Sequence, residues 1–581
     1  MPGPKTPAEK PPVEGTQPPP DGVRDTIESV VVALILAFVF RAFIVEAFVI
    51  PTGSMAPSLY GQHGQHRCEA CGYSFAYGIR EPMRDSNGNQ VHGTLIANGR
   101  LQRVNLRCPN CDWEGTGNRD LNSRPENRIV PDSGDRILVL KWPYDIGGDW
   151  LGPKRWDVVV FKNPQDGEMN FIKRLIGLSG EVLEIINGDI YTAPIDTVRE
   201  DIIEALRKPP RPHRPNERRL NDEQAEALAK VLKIRRKTPV AQNSLWMLHY
   251  DHDFIPRRAG RIGFDPPVWR EVGVTEHPAW DAEKPVVRFK PVDDLAHWLR
   301  LEGRRIQDSY GYNNVNVPYG VKDRAINVGD VLLKMVLFPG AGEGEIILRL
   351  QKGPDPFQVR LSSDGAVRLE HLTPPGRHGL WNEIKKARIE PLESGEPLQI
   401  EFENLDYRVA LRVNGSEVVW TDDTDYQPNL KKLLQPTYKD GRNNNAVIEI
   451  GAIDIPLEIR HLQVYRDVFY RSPTLDDRSR SGAFNQYPGW GTATNPILLR
   501  RDSPDYFCCG DNSPQSKDSR LWVDVCRMLH DRQPPNEYQY GTVPGDQLIG
   551  RAFFVYWPSG LRFSRDTWPL IPNVGRMRII R

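Results

Sequence analysis

Two side chains in this sequence have the types needed to cut an amide together. Ser54 lies in Phe48-Val-Ile-Pro-Thr-Gly-Ser-Met-Ala-Pro-Ser-Leu59 and Lys173 in Asn170-Phe-Ile-Lys-Arg-Leu-Ile-Gly177. A serine hydroxyl attacks a carbonyl only when a base removes its proton, and that base is most often histidine. Neither stretch contains one; the twelve histidines lie mainly elsewhere, among them His63, His66, His249 and His252. Lysine can replace histidine once its ammonium is desolvated, because burial disfavours the charged form and lowers a pKa of about 10.4 by several units. The apolar, strand-like surroundings of Lys173 suit that change. Taken singly, Ser54 reads as a turn serine after Pro51 and Gly53, and Lys173 as a solvated strand lysine. Only together do they make a reactive pair.

Cys68-Glu-Ala-Cys71 and Cys108-Pro-Asn-Cys111 form a second set, two C-x-x-C knuckles separated by 36 residues. Four thiolates in paired knuckles are the tetrahedral set that structural zinc takes, and Gly72 and Asn110 suit the tight turns of a ribbon. The gap is longer than the usual ~15–20 residues. Disulfide bonding is the rival reading, favoured in an extracytoplasmic compartment, although tight C-x-x-C disulfides are usually redox motifs. Cys508, Cys509 and Cys526 receive no role, and no segment places a base beside a cysteine.

These groups need elements to hold them. Residues 132–192 read as short strands, Arg136–Lys141, Asp157–Phe161, Phe171–Leu178 and Val182–Ile186, separated by Gly, Pro and Asp turns. The Ser54 segment follows an apolar run from Val30 to Ile50 broken only by Arg41 and Glu46. A bilayer core of about 30 Å needs a helix of ~20 residues, and an Arg at its centre costs about 2.5–3.5 kcal/mol, so the expected transmembrane helix covers 23–41. A cleavable signal peptide or a buried soluble helix competes with that reading. Lys5, Lys10 and Arg24 before the run place the proline-rich tail in the cytoplasm and Ser54 outside. Helical spacing in 196–237, interrupted by Pro209–Pro215, predicts a helical insertion. From 325 to 472 many short strands return, the clearest being Tyr407–Val413 and Glu417–Trp420 around Asn414-Gly415. They predict a concanavalin-like β-sandwich, with a carbohydrate or protein ligand as its open question. The Asn414-Gly-Ser416 sequon reads as a turn.

With 581 residues, 76 Lys+Arg and 76 Asp+Glu, the chain holds several domains and carries no net charge, which argues against nucleic acid as a partner.

Two further segments, Gly134-Asp-Arg-Ile-Leu-Val-Leu-Lys141 and Gly510-Asp-Asn-Ser-Pro-Gln-Ser-Lys-Asp-Ser-Arg520, join the Ser54 and Lys173 segments in an order that resembles bacterial type I signal peptidase, a Ser/Lys membrane endopeptidase. The resemblance covers roughly residues 25–60, 132–192 and 500–560. It implies Ser54 as nucleophile, Lys173 as general base with Arg174 its exposed neighbour, and an oxyanion hole from the Ser54 N–H and the Thr52 hydroxyl. Ser516 would orient the lysine, supported by the Asp518–Arg520 ion pair and by Asp511 and Asn512. Ile50, Pro51, Met55, Phe171 and Ile172 would line pockets for small residues. Ser513 departs from the family, where many relatives carry arginine.

The fold expected is mainly β: a tail over 1–22, the helix over 23–41, a catalytic domain in three parts (42–62, 132–195 and 473–581), a four-Cys ribbon over 63–131, a helical or irregular insertion over 196–324 and the sandwich over 325–472. The expected function is removal of signal peptides from exported precursors after Ala-x-Ala, at a bacterial cytoplasmic membrane whose lipid is a second partner and with no cofactor for catalysis. An inactive tethered binding protein using the sandwich is the alternative. A Ser/Lys self-cleaving regulator fits less well, for want of a nucleic-acid-binding module.

Overall fold

Alternating apolar residues in the segments around Ser54 and Lys173 build one antiparallel sheet. The computed structural model describes residues 22–79, 83–84, 90–92, 96–97, 100–101, 104–117, 132–146, 148–207, 219–256, 266–273, 277–313, 325–376, 379–435, 444–472, 474–477, 485–492, 495–533, 537–559 and 573–580. The expected tail, apart from residue 22, and the Pro209–Pro215 break lie outside them.

The unit around the Ser54 and Lys173 segments contains β1 (Val45–Val49), β2 (Arg136–Leu140), β3 (Val158–Lys162), β4 (Asn170–Gly177), β5 (Glu181–Ile186), β6 (Asp189–Pro194), β7 (Ile497–Leu499), β8 (Asp505–Cys509), β9 (Val543–Pro544) and β10 (Leu548–Trp557). The main sheet runs β1-β2-β10-β3-β4-β8-β9. Lys173 pairs with Val159, and Arg174 with Val158 on one side and Cys509 on the other. Side chains alternate across a strand. Phe171, Lys173 and Leu175 therefore share one face with Val159 and Cys508, while Ile172, Arg174 and Ile176 share the other. A second sheet, of β5, β6, β7 and Lys233–Ile234, packs beside it.

The expected sandwich forms, as two sheets of eight and seven strands. Asn414 (φ 50°) and Gly415 (φ 79°) make the predicted two-residue turn between Val413 and Ser416. The boundaries read from sequence shift, however. Five strands of the two sheets, Met247–Asp251, Val268–Glu271, Trp280–Asp281, Val287–Phe289 and His297–Glu302, come from the segment read as helical or irregular. They are too short to show sustained alternation, and helices α2 (Glu200–Arg207), α3 (Asp222–Val231) and α4 (Pro239–Leu245) are confined to the segment's first part.

The sandwich shares its core with the Ser54 and Lys173 unit. Val182 and Ile186 of β5, Tyr191 of β6 and Leu498 of β7 pack in one apolar cluster with Leu348, Val359, Phe402 and Ile450. Two buried lysines cross the junction: Lys352 pairs with Asp330 (2.6 Å) and reaches Asp189 of β6 (3.7 Å), and Lys237 pairs with Asp406 (3.0 Å) and Asp467 (2.7 Å).

The N-terminal run differs from expectation. α1 covers Gly22–Val39 and passes into a π-helical turn, Phe40–Ile44. Arg24, Asp25 and Glu28 occupy its first turns, so the apolar part, Ser29–Val39, is about 17 Å long at 1.5 Å per residue. No helix among the described residues is long and apolar enough to cross a membrane. The expected spanning helix over 23–41 is corrected accordingly, although large apolar side chains from Ile27 to Ile44 are exposed.

Candidate active site

Ser54 is the central residue of a 3-10 turn, Gly53–Met55, that follows the extended Thr52. Backbone N–H groups at the start of such a turn have no partner inside it. The turn is held from two sides. Asp135, in the Gly134 segment, accepts from Tyr60 N at its carboxylate (3.0 Å), and its carbonyl accepts from Ile50 N (2.9 Å). Gly134 is required here, because a Cβ would lie 1.7 Å from the Ile50 carbonyl oxygen. On the other side Asn512 donates its N–H to Ser54 O (3.0 Å) and its Nδ2 to Gly53 O (2.9 Å).

Lys173 Nζ donates to Ser54 Oγ at 2.9 Å and to Ile172 O at 3.0 Å. The lysine is 4% exposed. Its face of β4 is apolar, with Val159, Leu175, Cys508 and Trp522 in one buried cluster, and the Phe171 ring lies 5.1 Å from Nζ. Burial pushes the Lys173 ammonium down to about 8, against the pull of the Asp518 carboxylate. At that value about one lysine in ten is neutral at pH 7 and about half at pH 8, and the neutral amine is placed to take the serine proton.

The supporting residues fall partly as expected. Asp518 and Arg520 form a fully buried bidentate pair (2.7 and 2.8 Å), and Gly510 N donates to Asp518 (2.9 Å). Burial opposes charge on Asp518, but the Arg520 guanidinium and the Gly510 N–H outweigh it and hold the carboxyl below its ordinary value. Ser513 accepts from Arg520 Nη1 (2.8 Å) and from Arg471 N (2.9 Å). Ser516 does not make the expected hydrogen bond to Lys173. Its buried Oγ has no partner of good geometry among the described residues, and the lysine's donors go to Ser54 and Ile172.

Arg174 is not the exposed neighbour that was expected. Its guanidinium is fully buried, bidentate to Asp511 (2.8 Å twice), and donates to Trp156 O (2.8 Å). β4 is an interior strand covered on both faces, so alternation moves Arg174 into a second buried environment instead of into water. Asp511 thereby braces β4, and Asn512 braces the serine turn.

Of the pocket residues, Ile50 and Met55 are buried in one apolar cluster with Leu59, Ile137 and Ile172. They form a floor beneath the turn, while Pro51 and Thr52 are exposed at its rim and Phe171 is half-buried. Asp135 and Asn313 were not singled out from sequence. Asp135 stood in a recognised segment without a role, and Asn313 lies in an insertion with no pattern around it.

The four knuckle cysteines come together. Their sulfurs lie within 4.8 Å of one another, with Cys68–Cys111 at 3.6 Å and Cys71–Cys108 at 3.8 Å. Sulfurs about 2.3 Å from a tetrahedral zinc stand about 3.8 Å apart, whereas a disulfide needs about 2.05 Å. All seven cysteines are unpaired by disulfides. Each knuckle turn closes with matching backbone bonds, Gly72 N to Cys68 O (2.9 Å) and Asp112 N to Cys108 O (3.1 Å). The donor set and its spacing fit a zinc ion.

Residues 130–253 and 473–557 match the model of the family described as signal peptidase, peptidase S26. Among curated proteins, signal peptidase I of Buchnera aphidicola subsp. Baizongia pistaciae (strain Bp) is 37% identical over 90 residues, which are 14% of this chain and 28% of that protein. Signal peptidase I of Pseudomonas fluorescens is 40% identical over 72 residues, 10% of this chain and 24% of that protein. The chain thus spans about a quarter of the length of these relatives. Over these residues the chain is similar to type I signal peptidases. Among solved structures, a carbohydrate-binding module from Bacillus subtilis aligns with a TM-score of 0.22 at 9% identity, over 34% of this chain and 94% of that one. A β-glucanase from Bacillus licheniformis aligns with 0.22 at 9%, over 34% and 92%.

Proposed function

We propose that this chain is a Ser/Lys signal peptidase that removes signal peptides from exported precursors after small residues, typically Ala-x-Ala. The observation that carries the proposal is the desolvated Lys173 amine 2.9 Å from Ser54 Oγ. Neutral Lys173 accepts the serine proton as Ser54 attacks the scissile carbonyl, and returns it to the leaving amine as the acyl-enzyme forms. It then activates the water that releases the acyl group. The Ser54 N–H and the Thr52 hydroxyl stabilise the oxyanion, a contribution for which one donor is commonly worth about 10²–10³ in turnover. The substrate backbone pairs with the edge of the sheet, and small side chains are selected over the floor of Ile50, Met55 and Ile172 beside Pro51 and Phe171.

The proposed site of action is the outer face of a bacterial cytoplasmic membrane. The exposed apolar surface from Ile27 to Ile44 supports this, since lipid would cover it. Precursor and lipid are then the partners, and the sandwich is left for a carbohydrate or protein ligand.

The test is incubation of purified wild type and Ser54→Ala in detergent with an Ala-x-Ala precursor, followed by mass mapping. Cleavage after the small residue by wild type alone is expected, and no cleavage by folded wild type across several precursors removes the proposal. A pH dependence follows. The base works only when neutral, so kcat/KM should rise through about pH 8 and level above it. A flat profile between about pH 6 and 10 would exclude Lys173 as the base.

For the ribbon we propose one structural zinc held by Cys68, Cys71, Cys108 and Cys111, which takes no part in the bond cleavage. Elemental analysis should find one zinc per chain, and none in Cys108→Ser with Cys111→Ser.

A further inference from the structure

A short turn far from the recognised segments, Gly311-Tyr312-Asn313, reaches the nucleophile. Asn313 is 6% exposed and exchanges amide hydrogen bonds with Asn512: its Nδ2 donates to Asn512 Oδ1 (2.7 Å), and Asn512 Nδ2 donates to Asn313 Oδ1 (2.8 Å). A side-chain amide nitrogen has two hydrogens, so Asn512 Nδ2 serves Asn313 and Gly53 O together. Beside it the Tyr312 ring fills the space where Gly53 would carry a side chain, since a Cβ there would lie 2.3 Å from the ring. Asn313 and Tyr312 thus fix the backbone that presents Ser54.

The same turn rests on the ribbon. A Cβ on Gly311 would lie 2.7 Å from Pro109 of the second knuckle, and a Cβ on Gly78, which ends the first ribbon hairpin, 2.5 Å from the Tyr312 ring. The second knuckle is itself tied to the sandwich through Asn110, which accepts from Asp251 N (2.6 Å) and donates to Phe254 O (3.0 Å). Arg304 adds bonds to His249 O (2.8 Å) and Asp112 (3.2 Å). Contact therefore runs unbroken from the cysteine knuckles through Gly311–Asn313 and Asn512 to Ser54.

We propose that the four-cysteine ribbon is a metal-dependent support of the nucleophile turn, with Asn313 the positioning residue that passes its state to Ser54. The proposal rests on the zinc reading of the ribbon given above. Metal binding to a site of this kind supplies folding free energy to the small unit around it. Loss of the ion releases the knuckle that bears on Gly311 and the hairpin that bears on Tyr312. A misplacement of about 1 Å at a nucleophile costs on the order of 10² in rate, so loosening of this support is expected to lower kcat more than it raises KM.

The test is hydrogen exchange followed by mass spectrometry on the full chain in detergent: with zinc bound, after stripping by a chelator, and after zinc is returned, in wild type and in Asn313→Ala. In wild type, amides in residues 52–61 should exchange about tenfold faster without zinc and recover on its return, roughly the effect of one or two hydrogen bonds. In Asn313→Ala they should exchange faster already with zinc bound and respond little to its removal. Turnover of a precursor should fall in parallel, with KM changed less than kcat. Equal protection of residues 52–61 with and without zinc in wild type overturns the proposal, as does a full zinc response in folded Asn313→Ala. Should that variant not fold, the stripping and return of zinc in wild type decides alone. A protein that takes up no zinc fails both the zinc reading and this inference. A zinc-responsive turn in a protein that cleaves no precursor supports the inference while removing the peptidase reading.

Discussion

Lys173→Met is expected to lower precursor turnover by at least about 10³-fold while making the protein more stable at pH 7. The activity loss follows from chemistry, since Lys173 is the base in hydrogen-bond contact with Ser54 Oγ and methionine cannot take a proton. Ser54→Ala should lose as much, and the double variant little more, because the two residues act as a unit. The stability gain follows from burial. A lysine at about 8 in the folded chain and at 10.5 unfolded costs on the order of 3 kcal/mol when both states are protonated. Between about pH 8 and 10.5 the unfolded chain binds the proton that the folded one has released, so wild-type stability should rise with pH across that window. Lys173→Met, of similar volume, should lack that rise. The measurements are mass-mapped cleavage and thermal melts at pH 7 and pH 10. Activity within about tenfold of wild type would remove Lys173 from the reaction, and a destabilised Lys173→Met at pH 7 would contradict its desolvation.

What the sequence showed of this site depends on how local each signal is. The Ser54 turn, the Lys173 strand and the C-x-x-C knuckles are short patterns whose residue types act at fixed spacing, so they could be read before any contact was known. The Asn414-Gly415 hairpin was legible for the same reason, since a two-residue turn demands those residues. Arg174 was misread because strand alternation gives only the opposite face and does not say what covers it. Here Asp511 and Trp156 cover it, from segments hundreds of residues and eighteen residues away. Asn313 was invisible, since its meaning lies wholly in Asn512 across 199 positions. The five strands within 247–302 were missed because two- to six-residue strands carry too few alternations to outweigh their polar residues. At the N-terminus the apolar run was plain, but three charges in the first turns of α1 shorten the part that lipid could accept.

Asp511→Ala should destabilise the protein by about 3–5 kcal/mol, because it leaves the fully buried Arg174 guanidinium without its counter-charge. Arg174→Met should cost a similar amount by stranding Asp511. Removing both charges with apolar residues of similar size, Arg174→Met with Asp511→Leu, should recover much of that loss, since a buried pair contributes little net stability over well-packed apolar groups. Activity should not recover with it. Asp511 belongs to the loop whose next residue, Asn512, holds the carbonyls of Gly53 and Ser54, and Arg174 is the strand neighbour of Lys173. The pair therefore ties the lysine's strand to the loop that presents the serine, and a restored melting point without that tie leaves the 2.9 Å contact between Nζ and Oγ unsupported. Denaturant unfolding and precursor cleavage on the two single variants and the double would separate the roles. If the double variant regains both stability and turnover, the ion pair is only packing, and Lys173 and Ser54 are aligned by the turn contacts of Asn512 and Asp135 alone.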